Sequence, residues 1–404
     1  MAIAGCGAAG SNTGSSNSNG SSTGSTGVST PAVSNVQPIT VSGGPTAGPP
    51  YNEPDIDVPF TSVTVCAPGS TTNCQTINDV LVDTGSSGLR ILSSALTLSL
   101  PAQSGANGSP VVECAPFVDG ITWGPVLTVD LTIAGEQAKS LPIQAIGGSD
   151  FSAIPDSCTS YGAPLDDLED LGANGILGVG NFVQDCGGAC TVSGPSNPAL
   201  YYICPSSGCV VTAESLSDQV QNPVASFASD NNGVIVELPA VTGSEASVTG
   251  SLVFGIGTQS NNELGSATVY AIDPSTGNFT TVYDGVTYQD EGFIDSGSNG
   301  LYFLTSKVSG IPACPEFNSW YCPSTTMNLS ATNQGSNGVS GTVDFVVANA
   351  ETLTADENNA AANGLAGPFS GSFDWGLPFF FGRNVYAAIE GRSTPQGDGP
   401  YWAY

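Results

Sequence analysis

The sequence lacks histidine altogether, and only five of its 404 residues are lysine or arginine. Without histidine, Ser-His-Asp and Cys-His catalysis and histidine-ligated zinc are excluded, which leaves carboxylates as the acid–base groups. A groove for nucleic-acid phosphates or a surface for anionic lipids needs clustered basic residues. We therefore expect no nucleic-acid binding and no electrostatic binding to a membrane.

Acidic residues are abundant by contrast, and the 35 aspartates and glutamates give a formal net charge of −30. Such a charge is typical of proteins that stay soluble outside the cell. The alternative is tolerance of low pH, because few bases leave little positive self-repulsion once the carboxylates are protonated. No run of 18 apolar residues is present, so no membrane-spanning helix is predicted.

Glycine and proline are frequent, with 52 and 28 residues, and hydrophobic residues make up 40% of the chain. Short runs rich in β-branched and aromatic residues, such as GSLVFGIG and GTVDFVVANA, lie between clusters of Gly, Asn, Ser and Pro. This spacing predicts an all-β protein with a substantial core.

The first residues contain the tetrapeptide IAGC, which ends at Cys6 and has the form of a bacterial lipobox. A tether rich in Gly, Ser, Asn and Thr follows. We expect residues 1–45 to be a truncated lipoprotein signal and a flexible tether, with Cys6 as the lipidation candidate; the alternative is a chance tetrapeptide. The predicted location is the bacterial cell envelope or the extracellular space, with the lipid anchor as the only membrane contact.

The other ten of the 11 cysteines are an even number, which predicts up to five disulfides in an oxidising compartment. Three pairs could close small loops and one could be of longer range: Cys66 with Cys74, Cys204 with Cys209, Cys314 with Cys322, and Cys114 with Cys158. The alternative for one group of four is a zinc site, although their spacing is not a paired C-x-x-C arrangement and export favours disulfides. These four are Cys186, Cys190, Cys204 and Cys209.

One motif occurs twice, as VLVDTGSSGLRIL around Asp83 and as GFIDSGSNGLYFL around Asp295. Each aspartate ends a short apolar run that we expect to be a buried strand. Gly85 and Gly297 permit a sharp turn and the close approach of another segment. Hydroxyl residues flank each glycine: Thr84, Ser86, Ser296 and Ser298. A carboxyl group that emerges from an apolar strand into such a loop is in a setting where its pKa can be tuned.

An apolar–apolar–Gly sequence follows each copy of this motif. The first is in NGILGVG, where Gly178 lies 95 residues after Asp83 (178 − 83), and the second is in PFFFGR, where Gly382 lies 87 residues after Asp295 (382 − 295). A repeat with similar spacing in each half predicts two homologous lobes rather than coincidence.

Two Asp-(Thr/Ser)-Gly-Ser loops, each followed by an apolar–apolar–Gly strand, resemble the pepsin-like aspartic peptidases. The segment SVTGSLVFGIG is similar to the strand near the end of their first lobe. The resemblance implies a bilobal all-β fold with the site at the lobe interface. We expect the N-terminal lobe over residues 46–260 and the C-terminal lobe over residues 261–404.

The resemblance also implies an activity, that of an aspartic endopeptidase which hydrolyses peptide bonds with a water held between Asp83 and Asp295. It implies an acidic pH optimum, a polypeptide substrate bound as an extended strand, no metal or other cofactor, and a monomer. The remaining motif residues take supporting roles: a hydrogen-bond lattice from Thr84 and Ser296, hydroxyl donors to the outer carboxylate oxygens from Ser86 and Ser298, and backbone N–H donors from Gly85 and Gly297.

Two departures from the family pattern keep other functions open. Arg90 stands where these enzymes usually carry a tryptophan, and the stretch that corresponds to their flap contains no tyrosine. Phe117 or Trp123 could cover the site instead; the alternative is that both simply pack in a sheet. The alternative function is a catalytically inactive pepsin-fold binding or inhibitor module on the bacterial surface. A β-rich adhesin would explain the tether and the disulfides but not the doubled motif.

Overall fold

The computed structural model describes residues 34–48, 50–51, 54–105, 108–315 and 318–404. The protein is mostly β, with 42% strand and 9% helix. The predicted all-β class is therefore confirmed.

Twenty-six strands are present in this part of the chain. Those before residue 260 are β1 Val36–Val41, β2 Pro59–Cys66, β3 Cys74–Asp83, β4 Ser87–Leu92, β5 Val111–Pro116, β6 Ile121–Ile133, β7 Glu136–Ile146, β8 Gly175–Val179, β9 Tyr201–Ile203, β10 Val210–Val211, β11 Gly233–Glu237, β12 Ser244–Glu245 and β13 Val248–Phe254. The later ones are β14 Val269–Ala271, β15 Phe279–Tyr283, β16 Val286–Ile294, β17 Leu301–Phe303, β18 Met327–Gln334, β19 Ser340–Val347, β20 Ala361–Ala362, β21 Ala366–Gly367, β22 Phe373–Trp375, β23 Asn384–Ala388, β24 Ser393–Thr394, β25 Gly397–Asp398 and β26 Tyr401–Ala403.

The helices in the same residues are all a single turn. The α-helices are α1 Asp156–Thr159, α2 Leu168–Leu171, α3 Ser306–Ser309 and α4 Ala350–Leu353. The 3₁₀ turns are Ser93–Ala95, Ser149–Phe151, Gly187–Thr191, Pro223–Ser226 and Leu377–Phe379.

Most strands belong to two sheets. The larger has 15 strands in the order β10-β9-β5-β6-β7-β4-β8-β3-β2-β1-β13-β11-β23-β26-β14, and β6 also pairs with β2, which curls the sheet towards closure. The smaller has seven strands in the order β19-β18-β15-β16-β22-β17-β21. The C-terminal strands β23 and β26 extend the larger sheet, so it takes strands from both of the predicted lobes.

The same strand arrangement surrounds the two motif aspartates. In the first half, β3 runs into Asp83 and pairs in parallel with β8, and β8 pairs antiparallel with β4. In the second half, β16 leads to Asp295 and pairs in parallel with β22, and β22 pairs antiparallel with β17. The flanking strand also has a parallel partner in both halves, β7 for β4 and β21 for β17. The duplication read from the sequence is therefore also a duplication of strand pairing.

The partner strand predicted for the second aspartate is wrong. Phe380, Phe381 and Gly382 follow a 3₁₀ turn and do not pair with β16. The strand beside β16 is β22, whose Trp375 lies opposite Ile294 and is followed by Gly376. The glycine that follows the strand beside β16 is therefore Gly376, six residues before Gly382 (382 − 376). Phe380 and Phe381, the apolar residues predicted to form that strand, come after the 3₁₀ turn instead.

The folded chain begins earlier than the predicted boundary at residue 46. Strand β1 lies in the segment predicted as tether, and it pairs antiparallel with β13 over its full length, with Val36 opposite Val253 and Val41 opposite Val248. Its alternating residues Ile39 and Val41 are fully buried. A strand with a buried face is held by packing, so residues 36–41 are part of the domain and not a tether.

Five disulfides are formed: Cys66–Cys74, Cys114–Cys158, Cys186–Cys190, Cys204–Cys209 and Cys314–Cys322. The four cysteines considered for zinc are thus paired in two disulfides, and that alternative is wrong. Disulfides persist in oxidising compartments, so the five bonds indicate an extracellular or cell-envelope location. No helix within the described residues has the length and apolar character needed to span a membrane. Cys6 lies outside the described residues.

Candidate active site

The first aspartate loop begins where β3 ends. Val80, Leu81 and Val82 are buried, and Asp83 has no exposed surface. The backbone N–H of Gly85 donates to Asp83 Oδ1 at 2.8 Å, and the Ser86 hydroxyl donates to Asp83 Oδ2. A continuous apolar strand thus delivers a buried carboxyl group that has a donor on each oxygen.

The second loop repeats these contacts. Asp295 is also without exposed surface. The backbone N–H of Gly297 donates to Asp295 Oδ1 at 2.8 Å, and the Ser298 hydroxyl donates to Asp295 Oδ2, also at 2.8 Å. The glycines and serines therefore do what the sequence predicts, and each aspartate is held by its own loop.

The two loops are bonded to each other through the residues that follow the aspartates. The backbone N–H of Thr84 donates to Ser296 Oγ at 3.1 Å, and the backbone N–H of Ser296 donates to Thr84 Oγ1 at 2.9 Å. The Ser296 hydroxyl donates in turn to the carbonyl of Val82 at 2.7 Å. This reciprocal lattice brings together residues more than 200 positions apart and fixes one loop against the other.

The glycines allow the loops to lie this close. A Cβ atom on Gly85 would be 2.5 Å from Asp295 Cγ, and one on Gly297 would be 3.0 Å from Asp83 Cγ. Each glycine therefore lies against the aspartate of the opposite loop. The requirement is close approach rather than an unusual backbone angle.

The carboxyl groups of Asp83 and Asp295 are close enough for each to influence the pKa of the other. Burial raises the pKa of Asp83, and the hydrogen bonds from Asp295, Ser86 and Gly85 oppose that rise. Burial also raises the pKa of Asp295 well above its usual value, and the charges of Asp83 and Asp374 raise it further. These surroundings favour the charge on Asp83 and the shared proton on Asp295.

The tip of the β5–β6 hairpin lies beside the first loop. Phe117 lines a cavity of about 30 Å³ together with Gly85 and Ser86, a space that holds about one water. Val118 lines a second cavity, of about 400 Å³, which Gly85 also lines. The next residue, Asp119, is close enough to raise the pKa of Asp374 through its charge.

The two candidates for covering the site have different positions. Phe117 is near the hairpin tip beside the first loop, and it is also buried in an apolar cluster with residues such as Phe60 and Leu92. Trp123 is buried further along β6, where it packs edge-on against Tyr202 at 5.1 Å and donates to the carbonyl of Phe151 at 2.8 Å. Trp123 is therefore part of the core, which was the alternative stated for it.

Arg90, the residue in the tryptophan position, is almost fully buried on β4. Its Nη2 lies 2.6 Å from Glu113 Oε1 and 3.3 Å from Asp185 Oδ2, and its Nη1 donates to the carbonyl of Ser87 at 3.0 Å. Burial lowers the pKa of Arg90, but Glu113 and Asp185 outweigh burial and the pKa is raised overall. The arginine is thus the charged centre of a buried ionic cluster next to the first loop.

Asp374 is a residue of this site that the sequence did not point to. It lies on β22 opposite Phe293 and is 5% exposed, and its charge raises the pKa of Asp295. The available signal was an acidic residue inside an otherwise apolar run, GSFDWGLPFFF, immediately before a Trp-Gly pair.

Groups that could ligate a metal were sought among the described residues. One is the exposed acidic cluster Asp166, Asp167 and Asp170; the other consists of Glu351 with Cys314 and Cys322, whose sulfurs are joined in a disulfide. Neither group includes a motif aspartate.

The geometry defines a class of site, that of two buried aspartates on duplicated, mutually bonded loops of an all-β protein. The family described as "Protein of unknown function (DUF3443)" matches residues 31–404, and the chain belongs to this family. No curated protein matches the sequence.

Proposed function

We propose that this protein is an aspartic endopeptidase of the pepsin-like type, with Asp83 and Asp295 as its catalytic pair. The observation that carries the proposal is the equivalence of the two loops. Each aspartate accepts a backbone N–H and a serine hydroxyl, and the Thr84–Ser296 lattice holds the two carboxyl groups together. Plain turns would not require this complete set in both halves.

In the proposed reaction, ionised Asp83 accepts a proton from a water while that water's oxygen bonds to the peptide carbonyl carbon. Protonated Asp295 donates its proton to the carbonyl oxygen, which gives a neutral gem-diol. The C–N bond then breaks as the nitrogen takes the proton from Asp83 and a diol hydroxyl returns its proton to Asp295. The products are a carboxylic acid and an amine, and both aspartates regain their starting states.

We expect the substrate to lie between the hairpin tip and the loops as an extended strand. The cavity of about 400 Å³ beside the loops is lined by Val118, Phe182, Phe293 and Phe369, among others. This apolar lining suits an apolar side chain next to the cleaved bond. Because neither carboxyl group has exposed surface, the hairpin tip must move aside for substrate to enter.

The site requires one proton on the pair, so activity should be highest at acidic pH. The test is cleavage of an unfolded protein between about pH 3 and 6 by the wild type and by Asp83→Asn and Asp295→Asn, with the expected loss at least ~10³-fold. Asp290→Asn, an exposed acid on the strand that leads to Asp295, is the matched control and should retain activity.

A folded wild type that cleaves nothing and does not bind a statine-type inhibitor contradicts the proposal. That result would favour the binding or inhibitor module. Activity that survives both aspartate substitutions would also contradict it, since hydrolysis would then arise elsewhere.

We also propose that the protein is held at the bacterial cell envelope by a lipid on Cys6. The support is the IAGC sequence with its following tether and an oxidising location. Fatty-acid labelling of the full chain should be lost in Cys6→Ala, and equal labelling of the two proteins would contradict the anchor.

A further inference from the structure

Asp374 occupies the strand next to Asp295 in a position that has no acidic counterpart in the first half. In the second half, Phe293 pairs with Asp374 just before the aspartate loop. In the first half, Leu81 pairs with Ile176 at the equivalent step before Asp83. An apolar residue is the expected occupant of a strand buried on both faces, so the acid is an exception that needs a reason.

The surroundings of Asp374 do not satisfy it as a structural residue. It is 5% exposed, and its Oδ1 has no hydrogen-bond partner. Burial raises the pKa of Asp374 well above its usual value. A buried oxygen without a partner costs stability, typically about 1–3 kcal/mol.

Among the described residues, the hydroxyl that influences Asp374 is that of Ser298, which also contacts the catalytic pair. The Ser298 hydroxyl interacts with Asp374, and it donates to Asp295 Oδ2 at 2.8 Å. A serine hydroxyl has a single hydrogen, so Ser298 can donate to only one of the two carboxyl groups at a time. The ionised one attracts that hydrogen more strongly.

The other titratable groups that face Asp374 come from each neighbouring element. Asp83 and Asp295 lie on the two loops, and Asp119 lies at the tip of the β5–β6 hairpin. Tyr302 lies opposite Asp374 on β17. Burial raises the pKa of Tyr302 well above its usual value, and the charge of Asp374 raises it further. Each of these groups is neutral or negative. A negative charge on Asp374 therefore disfavours a negative charge on its neighbours, and their charges disfavour one on Asp374.

We propose that Asp374 is a positioning residue of the peptidase site, which acts through Ser298 and through its own charge to hold the last proton of the catalytic pair on Asp295. Once Asp374 is charged, it draws the Ser298 hydrogen away from Asp295 and opposes a further negative charge there. Both effects keep Asp295 protonated, so the enzyme works to higher pH than the pair alone would allow. This inference rests on the proposed endopeptidase function.

The test is the pH profile of kcat/KM for the wild type and for Asp374→Asn and Asp374→Ile. Asparagine keeps the shape without the charge. Isoleucine is found at the equivalent position of the first half, Ile176. It also removes the unpartnered oxygen, so this variant should fold. A like charge nearby typically shifts a carboxyl pKa by about one unit or more. In both variants, kcat/KM should therefore begin to fall about one pH unit lower than in the wild type. At a given pH on the alkaline limb this is about a tenfold loss, and the change at the acidic optimum should be much smaller.

Asp344→Asn, an exposed acid on β19, is the matched control and should leave the profile unchanged. Asp374→Glu should restore part of the alkaline limb. If the wild type is active and both Asp374 variants keep its alkaline limb, this inference is overturned while the endopeptidase stands. An activity loss that is equal at every pH overturns it too, because that is the mark of a merely structural role. An inactive wild type overturns the proposed function and this inference with it.

Discussion

The two aspartates accept the same hydrogen bonds from their loops but have opposite charges nearby. Beside the first loop is Arg90, whose positive charge lowers the pKa of Asp83 against the effect of burial. Beside the second is Asp374, whose negative charge raises the pKa of Asp295 in addition to burial. Identical loops in unlike surroundings give two carboxyl groups that differ in proton affinity.

For the proposed reaction, this difference distinguishes the two aspartates in a way that the loop geometry does not. A symmetric pair shares one proton equally, and either member could act as base. Here the neighbours favour a charge on Asp83 and a proton on Asp295. The asymmetry lies one strand away from each loop, on β4 and β22. Replacing these neighbours is therefore the direct way to test the comparison.

The largest expected effect comes from Arg90→Met. The substitution leaves Glu113 and Asp185 buried without their cation, which typically costs about 3–5 kcal/mol in the free energy of unfolding. Chemical denaturation of wild type and variant measures that difference. The variant should also lose activity, because Nη1 of Arg90 donates a hydrogen bond to the carbonyl of Ser87 and so helps to position the first loop.

Two further variants separate the buried cluster from a general effect of losing arginine. Arg383 in the second half donates to the carbonyls of Phe379 and Asp344 rather than to an acid, so Arg383→Met should cost only about 1 kcal/mol. Neutralising Glu113 and Asp185 as well, by Gln and Asn, should recover most of the stability lost in Arg90→Met. A loss below about 1 kcal/mol for Arg90→Met alone would contradict the cluster's role.

The comparison also explains how much of the site could be predicted from sequence. The motif residues follow one another directly, so their roles depend on local geometry that repeats wherever Asp-Thr/Ser-Gly-Ser ends an apolar strand. The pairing of Asp83 with Asp295, and the lattice between Thr84 and Ser296, followed from the resemblance of the duplicated motif to the pepsin-like peptidases. The all-β class followed from alternating apolar runs and turn residues.

The features that could not be predicted depend on pairing between distant segments. Two apolar–Gly sequences compete near the C-terminus, and only the register of β22 with β16 selects Gly376 over Gly382. The partners of Arg90 come from two other segments, at Glu113 and Asp185. Periodicity does not reveal where along β6 the hairpin leaves the core, so the sequence left open whether Trp123 covers the site or packs in the core. Strand β1 was missed because its partner β13 lies about 200 residues away.

A smaller effect is expected from the glycines, and it should differ between the loops. A Cβ on Gly85 would lie 2.5 Å from Asp295 Cγ, whereas the nearest atom to a Cβ on Gly297 is Asp83 Oδ1 at 2.9 Å. The tighter contact forces a larger shift, so Gly85→Ala should destabilise more than Gly297→Ala, within the range of about 1–3 kcal/mol for overpacking. Thermal unfolding of the two variants measures the order.

Activity should respond more steeply than stability, because a displacement of about 1 Å between catalytic groups can cost about 10²-fold in rate. Gly48→Ala is the control for adding a methyl group, since a Cβ there meets nothing within 4 Å, and it should match the wild type in both measurements. If Gly85→Ala kept wild-type turnover, the two carboxyl groups would tolerate separation and could not act as a hydrogen-bonded pair. If Gly297→Ala proved the more damaging, the second loop would be the more tightly packed, and the asymmetry between the loops would run opposite to the distances.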